Sequence, residues 1–131
     1  MSAGPQPPRP RRILVIEDHA DAAEALRFLL ASWGHAVEVA RTGEDGIAAA
    51  EHSRPELVLC DLGLPDLDGH DVARRLRQTL PATTTRLVAL SGGLAPGARA
   101  RSQEAGFDAH LVKPASWRVL EEQLALLPAG A

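Results

Sequence analysis

Four short apolar runs in this 131-residue chain end in polar residues. Glu17 and Asp18 follow residues 13–16, Asp61 follows residues 57–60, Ser91 follows residues 87–90 and Lys113 follows residues 109–112. If the runs are neighbouring parallel strands, three carboxylates, a hydroxyl and an ammonium share one edge. Carboxylates so placed repel: at ~4 Å two unit charges cost several kcal/mol at an effective dielectric near 20. Lys113 offsets one charge, and a divalent cation offsets two more. Oxygen ligands with no His or Cys among them favour Mg2+ or Mn2+ over zinc, and Mg2+ keeps positions open for phosphoryl oxygens. With a phosphoryl group added, Asp61 can act as nucleophile and form an aspartyl phosphate. Asp18 would hold the ion, and Lys113 and Ser91 would serve the remaining phosphoryl oxygens.

Those positions need a scaffold, and the hydrophobic pattern predicts one. Residues 13–16, Ile-Leu-Val-Ile, form a continuous apolar run rich in β-branched residues, as suits a strand buried on both faces. Ala22, Leu26, Leu29, Leu30 and Trp33 then fall on one helical face, and Gly34 stops that helix. A strand over 36–40 and a helix from Thr42-Gly43 to about His52 follow, broken by Arg54-Pro55. The third run, 57–60, leads through a loop with Gly63, Pro65 and Gly69 into a helix reaching about Gln78. The fourth, 87–90, is followed by a helix opened by Pro96 and closed by Gly106. A weaker strand over 109–112 precedes a last helix striped by Trp117, Leu120, Leu124 and Leu127. Five strand–helix pairs imply parallel strands, right-handed crossovers and helices on both faces. In such sheets ligands bind beyond the carboxyl ends of the strands.

Composition restricts the alternatives. The length suits one domain. Lys and Arg number 14 against 17 Asp and Glu, a net charge of −3, and Arg9, Arg11 and Arg12 lie in an N-terminal stretch with no acid. The body is therefore more acidic than the whole, unlike a surface for direct nucleic-acid binding. A single cysteine, Cys60, excludes an internal disulfide and any multi-cysteine metal site, and reads as packed core rather than as a redox sensor. No apolar run reaches membrane-span length, and the Pro- and Arg-rich start has no apolar core like that of a secretory signal; the expected location is cytoplasmic. Residues 1–11, with four prolines, are expected to form a flexible arm, 12–128 the ordered domain and 129–131 a tail. Arg9, Arg11 and Arg12 read as solvated tail charges.

Taken together, the segments VIED (Glu17, Asp18), LVLCDLGLPDLDG (Asp61), ALSG (Ser91) and HLVKP (Lys113, Pro114) resemble the receiver domain of bacterial two-component response regulators. The similarity runs from about Arg12 to Leu127. It implies an α/β, flavodoxin-like three-layer sandwich: a five-stranded parallel sheet of order 2-1-3-4-5 with five helices. It implies that Asp61 takes a phosphoryl group from a phosphohistidine of a sensor histidine kinase or histidine phosphotransfer protein. Asp18, Asp61 and the Gly63 carbonyl would then bind Mg2+, with Glu17 acting through water. Lys113 would pair with Asp61 and later with the phosphoryl group, and Ser91 would be the hydroxyl of the switch. His110 stands where an aromatic switch residue is common, so its charge would make switching pH-sensitive near neutrality. Gly63 and Gly93 lack the larger side chains often found beside the phosphate, leaving it open to water. Ala115 replaces an aromatic, and Pro114 suits a cis peptide. The implied protein is a phosphorylation switch acting on a downstream protein target, not a metabolic enzyme beyond self-phosphorylation and self-dephosphorylation of Asp61.

Plainer readings stand beside these. Asp61, Glu17 and Asp18 could cap helices or turns, Lys113 could be a solvated lysine, and Ser91 could cap a loop. His110 reads equally as an exposed sheet-edge residue, and Trp117 as half core, half surface. A haloacid-dehalogenase-type hydrolase needs an acid two positions after the nucleophile, where Gly63 stands. A flavodoxin needs a phosphate-binding loop where Glu17-Asp18 stands. A receiver fragment of a hybrid histidine kinase or phosphorelay, and a phosphorylation-independent docking module, remain as alternatives.

Overall fold

The computed structural model of the protein describes residues 9–128. Five strands alternate with five helices: β1 (Arg12–Ile16), α1 (Ala20–Ser32), β2 (Ala36–Ala40), α2 (Gly43–Ser53), β3 (Leu57–Asp61), α3 (Gly69–Thr79), β4 (Arg86–Ser91), α4 (Ala98–Ala105), β5 (Ala109–Val112) and α5 (Trp117–Ala125). The sheet is parallel throughout, in the order β2-β1-β3-β4-β5. The chain therefore steps outward on both sides of β1 and β3, and the crevice where the order reverses opens above their carboxyl ends. Ile16 pairs with Cys60, which places Glu17 and Asp18 beside Asp61.

Period-2 alternation divides the core in two. Ile13 and Val15 of β1, with Leu57, Leu59, Val88 and Leu90, pack against Leu30 of α1 and Leu120 of α5. Leu14 and Ile16, with Val58, Cys60, Leu87 and Ala89, pack against Ile47 and Ala50 of α2, Val72 and Leu76 of α3 and Ala105 at the end of α4. Both faces of β1 and β3 are covered, which is why their apolar runs are continuous rather than alternating. Each fully buried Leu or Ile contributes about 1.5–3 kcal/mol relative to exposure. Cys60 is buried in this core, and burial pushes its thiol pKa up, as a packing role requires.

Side-chain caps set the helix starts near the crevice. Thr42 accepts from the Asp45 amide, Asp68 from the His70 amide and Ser116 from the Val119 amide. Helix α4 begins two residues later than Pro96 predicts, because Gly97 takes a left-handed conformation (φ 78°) and serves as its N-cap. The helix buries only Ala98, Ser102 and Ala105.

The expected arm lies outside the described residues for 1–8, as does the tail, 129–131. Arg9 and Arg11 correct the expectation of solvated tail charges. Arg9 Nη2 and Arg11 Nη1 lie 2.6 and 2.8 Å from Glu56 Oε2, and Arg11 also donates to the Pro128 carbonyl at 2.6 Å. The Arg11 side chain is only 12% exposed. Among the described residues no helix is long and apolar enough to cross a membrane.

Candidate functional site

Asp61 ends β3 and is buried. Its Oδ1 accepts from the Gly63 amide (3.0 Å), and its Oδ2 lies 3.0 Å from Lys113 Nζ. The same ammonium lies 2.7 Å from Oε1 of Glu17, a carboxylate only 1% exposed. Lys113 thus bridges two buried acids from neighbouring strand ends; the direct contact with Glu17 was not expected from sequence. Burial alone would raise the Asp61 pKa, but the Gly63 amide and the Lys113 ammonium outweigh it and hold the carboxyl below its ordinary value. For Lys113, burial would lower the pKa, and the two carboxylates outweigh that and raise it.

Glu17, Asp18, His19 and Asp61 bring one ligand atom each to within 4.8 Å of one another. Asp18 Oδ1 is buried and has no hydrogen-bond partner. A lone pair held dry without a donor is costly unless a cation meets it. The arrangement therefore fits a divalent ion held by Asp18 and Asp61, with Glu17 behind them. Arg41 Nε donates to the Asp18 carbonyl (3.1 Å), fixing the turn that presents this carboxylate. His19 departs from the sequence reading, which counted no histidine near the acids. Its signal was its position, directly after Glu17-Asp18.

Ser91 ends β4, and its hydroxyl bonds within its own loop and to β5. It donates to the Gly93 carbonyl (2.8 Å) and lies 2.7 Å from His110 Nε2. His110 is 6% exposed, which overturns the exposed sheet-edge reading. Its Nδ1 lies 3.1 Å from Oγ of Ser102, a residue of α4 that the sequence did not single out. An unbroken line thus joins Ser91 through the imidazole to α4.

Burial and, after it, the Arg99 charge push the His110 pKa below its ordinary value. Because the folded pKa is depressed, its share of stability is full above about pH 6.5, the unfolded value, and is lost as pH falls toward the folded one. His35, whose pKa is lowered by burial and by Arg11, acts in the same window. His110→Phe is accordingly expected to reduce the slope of Tm against pH below about 6.5, leaving the part due to His35. Superimposable wild-type and variant slopes would contradict a titrating His110.

A Cβ at Gly63 would meet nothing nearer than Asp61 Oδ1 at 3.9 Å, and one at Gly93 would meet nothing within 4 Å. The crevice is therefore open on the sides these residues border. Lys113-Pro114 is cis. With the small Ala115 after it, an apolar recess of about 240 Å3 lies beside Glu17 and Lys113, walled by Ala22, Leu26 and Leu29 of α1 and by Leu90.

The sequence profile described as response regulator receiver domain matches residues 13–125. Among curated relatives, the transcriptional regulatory protein AfsQ1 of Streptomyces coelicolor is 35% identical over 86% of this chain and 48% of its own length. Response regulator MprA of a Mycobacterium species is 35% identical over 92% of this chain and 50% of its own. The chain thus spans about half the length of these relatives. Among solved structures, a CheY-like receiver domain from Methanospirillum hungatei superposes with a TM-score of 0.82 at 27% identity, covering 89% of this chain and 92% of that one. The receiver domain of a Pseudomonas aeruginosa sensor histidine kinase, which holds a magnesium ion in its active-site cleft, gives 0.81 at 27% identity, covering 94% and 100%.

Proposed function

The chain belongs to the response regulator receiver domain family, and from that premise we propose that Asp61 accepts a phosphoryl group and that its gain switches a protein-binding surface. The observation that carries this is Lys113 bridging Asp61 and Glu17 beside Asp18 Oδ1, a buried oxygen that accepts no hydrogen bond. The donor is a sensor histidine kinase or histidine phosphotransfer protein carrying a phosphohistidine. An Asp61 oxygen attacks phosphorus, the P–O bond forms, and the P–N bond breaks. The electron pair of that bond stays on the departing imidazole, which takes up a proton. Asp18, Asp61 and the Gly63 carbonyl would hold Mg2+, whose charge neutralises the phosphoryl oxygens. Lys113 stays within reach of the new group while keeping Glu17 paired.

The Ser91 hydroxyl then turns from the Gly93 carbonyl toward the phosphoryl group, giving up its contact with His110. Its release changes the hydrogen bonds that reach α4 through Ser102, and α4, β5 and α5 form the readout surface for a downstream protein. Phosphorylation shifts a pre-existing equilibrium because these contacts exist in only one state. The only chemistry assigned to the domain itself is gain and loss of its own phosphoryl group. The acidic body disfavours a direct nucleic-acid role, and the cytoplasm fits the partners. The Pseudomonas neighbour, itself a receiver of a sensor kinase, favours a second reading as a phosphorelay stage; onward transfer to a histidine phosphotransfer protein would distinguish it.

Beryllofluoride, which imitates an aspartyl phosphate, tests the proposal. With Mg2+ it is expected to shift the amide resonances of Asp61, Ser91, His110 and Lys113 together with those of α4. A spectrum identical with and without it would remove the switch.

A further inference from the structure

The junction of β2 and α2, residues 40–44, supplies no ligand to the cleft, yet it ties down the two loops that do. On one side the Ala40 carbonyl accepts from the Glu17 amide (3.0 Å), and the Arg41 guanidinium donates through Nε (3.1 Å) and Nη2 to the Asp18 carbonyl. On the other side Asp66, in the loop between Asp61 and α3, accepts from the Gly43 amide at Oδ1 (2.7 Å) and from the Glu44 amide at Oδ2 (2.9 Å). These amides open α2 and have no acceptor within the helix. The Glu44 and Gly43 amides hold the Asp66 carboxyl below its ordinary pKa. The same loop closes on itself through the bridge between Gly63 and Asp68. Its Leu67 sits so near α2 that a Cβ at Gly43 would meet the Leu67 Cβ and Cδ1 at 3.0 Å.

Asp18 and the Gly63 carbonyl belong to different loops, so the separation of those loops decides whether one small ion can meet both. Mg2+ demands near-ideal octahedral geometry with bonds of about 2.1 Å, and it tolerates little displacement of its ligands. We propose that Arg41 and Asp66 are positioning residues that yoke both loops to the first turn of α2 and so set the separation of Asp18 from the Gly63 carbonyl. The inference rests on reading Asp18, Asp61 and the Gly63 carbonyl as Mg2+ ligands, and it names two residues outside that set that govern how tightly the ion is held. The two ties carry opposite charges, which separates position from charge. Arg41 is a cation beside an acidic cluster. Acting through charge alone it would repel Mg2+, and its removal would tighten the ion. Acting through the Asp18 carbonyl, its removal loosens the ion. At Asp66 charge and position act in the same direction. A variant that loses the charge but keeps an acceptor tells them apart.

The experiment is a Mg2+ titration of the full chain with no phosphoryl donor, followed by the amide resonances of Asp18 and Gly63. Arg41→Ala is expected to weaken Mg2+ binding about tenfold, the lower end for groups that hold metal ligands from behind. Arg41→Lys keeps the charge and a donor and should recover part of that loss. Asp66→Ala should weaken binding by a similar factor. Asp66→Asn, which keeps an acceptor for the Gly43 amide, should weaken it less. Both side chains are exposed and Thr42 still caps α2, so the variants should fold. Arg41→Ala that binds Mg2+ as tightly as the wild type, or more tightly, overturns the proposal. So does equal weakening by Asp66→Asn and Asp66→Ala, which would reduce Asp66 to a charge. Wild type that binds no Mg2+ would instead overturn the cation-site reading, so the two failures are separable.

Discussion

Asp61→Asn is expected to lower phosphoryl uptake from a small acyl phosphate donor at least about 10^3-fold, or ~4 kcal/mol in the barrier. An amide oxygen is a poor nucleophile, and the substitution also removes a negative charge from the ion site. The fold should survive, because an Asn carbonyl still accepts from the Gly63 amide, as Asp61 Oδ1 does at 3.0 Å. Lys113 keeps its second partner, Glu17, at 2.7 Å. Intact mass after incubation with donor and Mg2+ reads the result directly, with hydroxylamine releasing an acyl phosphate but not a phosphoester. Comparable uptake by wild type and variant would move the acceptor to another carboxylate and sink the assignment. Glu17 is the poorer candidate, since it is almost wholly buried against Lys113.

Lys113→Met should change the sign of a pH dependence. In the wild type the ammonium lies between two buried carboxylates, with Glu17 1% and Asp61 7% exposed at the side chain. Removing one partner of a buried pair costs about 3–5 kcal/mol in general. Lys113 is itself 27% exposed, so a loss of about 2–3 kcal/mol is expected here once solvent screening is allowed for. With Lys113 present the Asp61 pKa is depressed. Its contribution is then complete above the unfolded pKa and is lost as pH falls through the folded one. Without the ammonium, desolvation and mutual repulsion raise the folded pKa of one acid above its unfolded value. Stability is then greatest below the unfolded pKa and declines as pH rises through the folded one. Urea denaturation should show the wild type losing this stability only as pH falls below about 4, and the variant losing stability as pH rises between about 4 and 7. Millimolar Mg2+ should recover much of the loss by replacing the missing charge. Parallel pH curves for the two proteins would mean that Lys113 does not neutralise this pair.

The strands were legible because burial on both faces demands uninterrupted apolar runs, and residues 13–16, 57–60 and 87–90 supply them. The site followed, since polar residues at the ends of parallel strands must share an edge. What the pattern could not convey was side-chain direction. His110 sits in a four-residue strand at the sheet edge, where alternation does not tell inside from outside. Its burial depends on Ser91 and on Ser102, which α4 supplies from another element. Pro96 predicts an earlier start for α4 because it is a good first helical residue, while the left-handed turn at Gly97 is a tertiary choice. Arg11 looked like a tail charge because Glu56 is 45 residues away along the chain. His19 follows the acids directly in sequence, but the turn that brings its ring against Glu17 is a backbone choice the residue order does not convey.

The Arg11 contact with the Pro128 carbonyl has a topological corollary. Arg11 precedes β1, so Pro128 is held at the edge where the strands begin, about 15 Å across the sheet from the edge where they end. Residues 9 and 128 thus leave the described domain at the same corner, behind Asp61. An affinity handle or a fluorescent reporter attached there would leave the crevice unobstructed, and a short peptide bridge from 128 to 9 would permit new termini to be opened elsewhere.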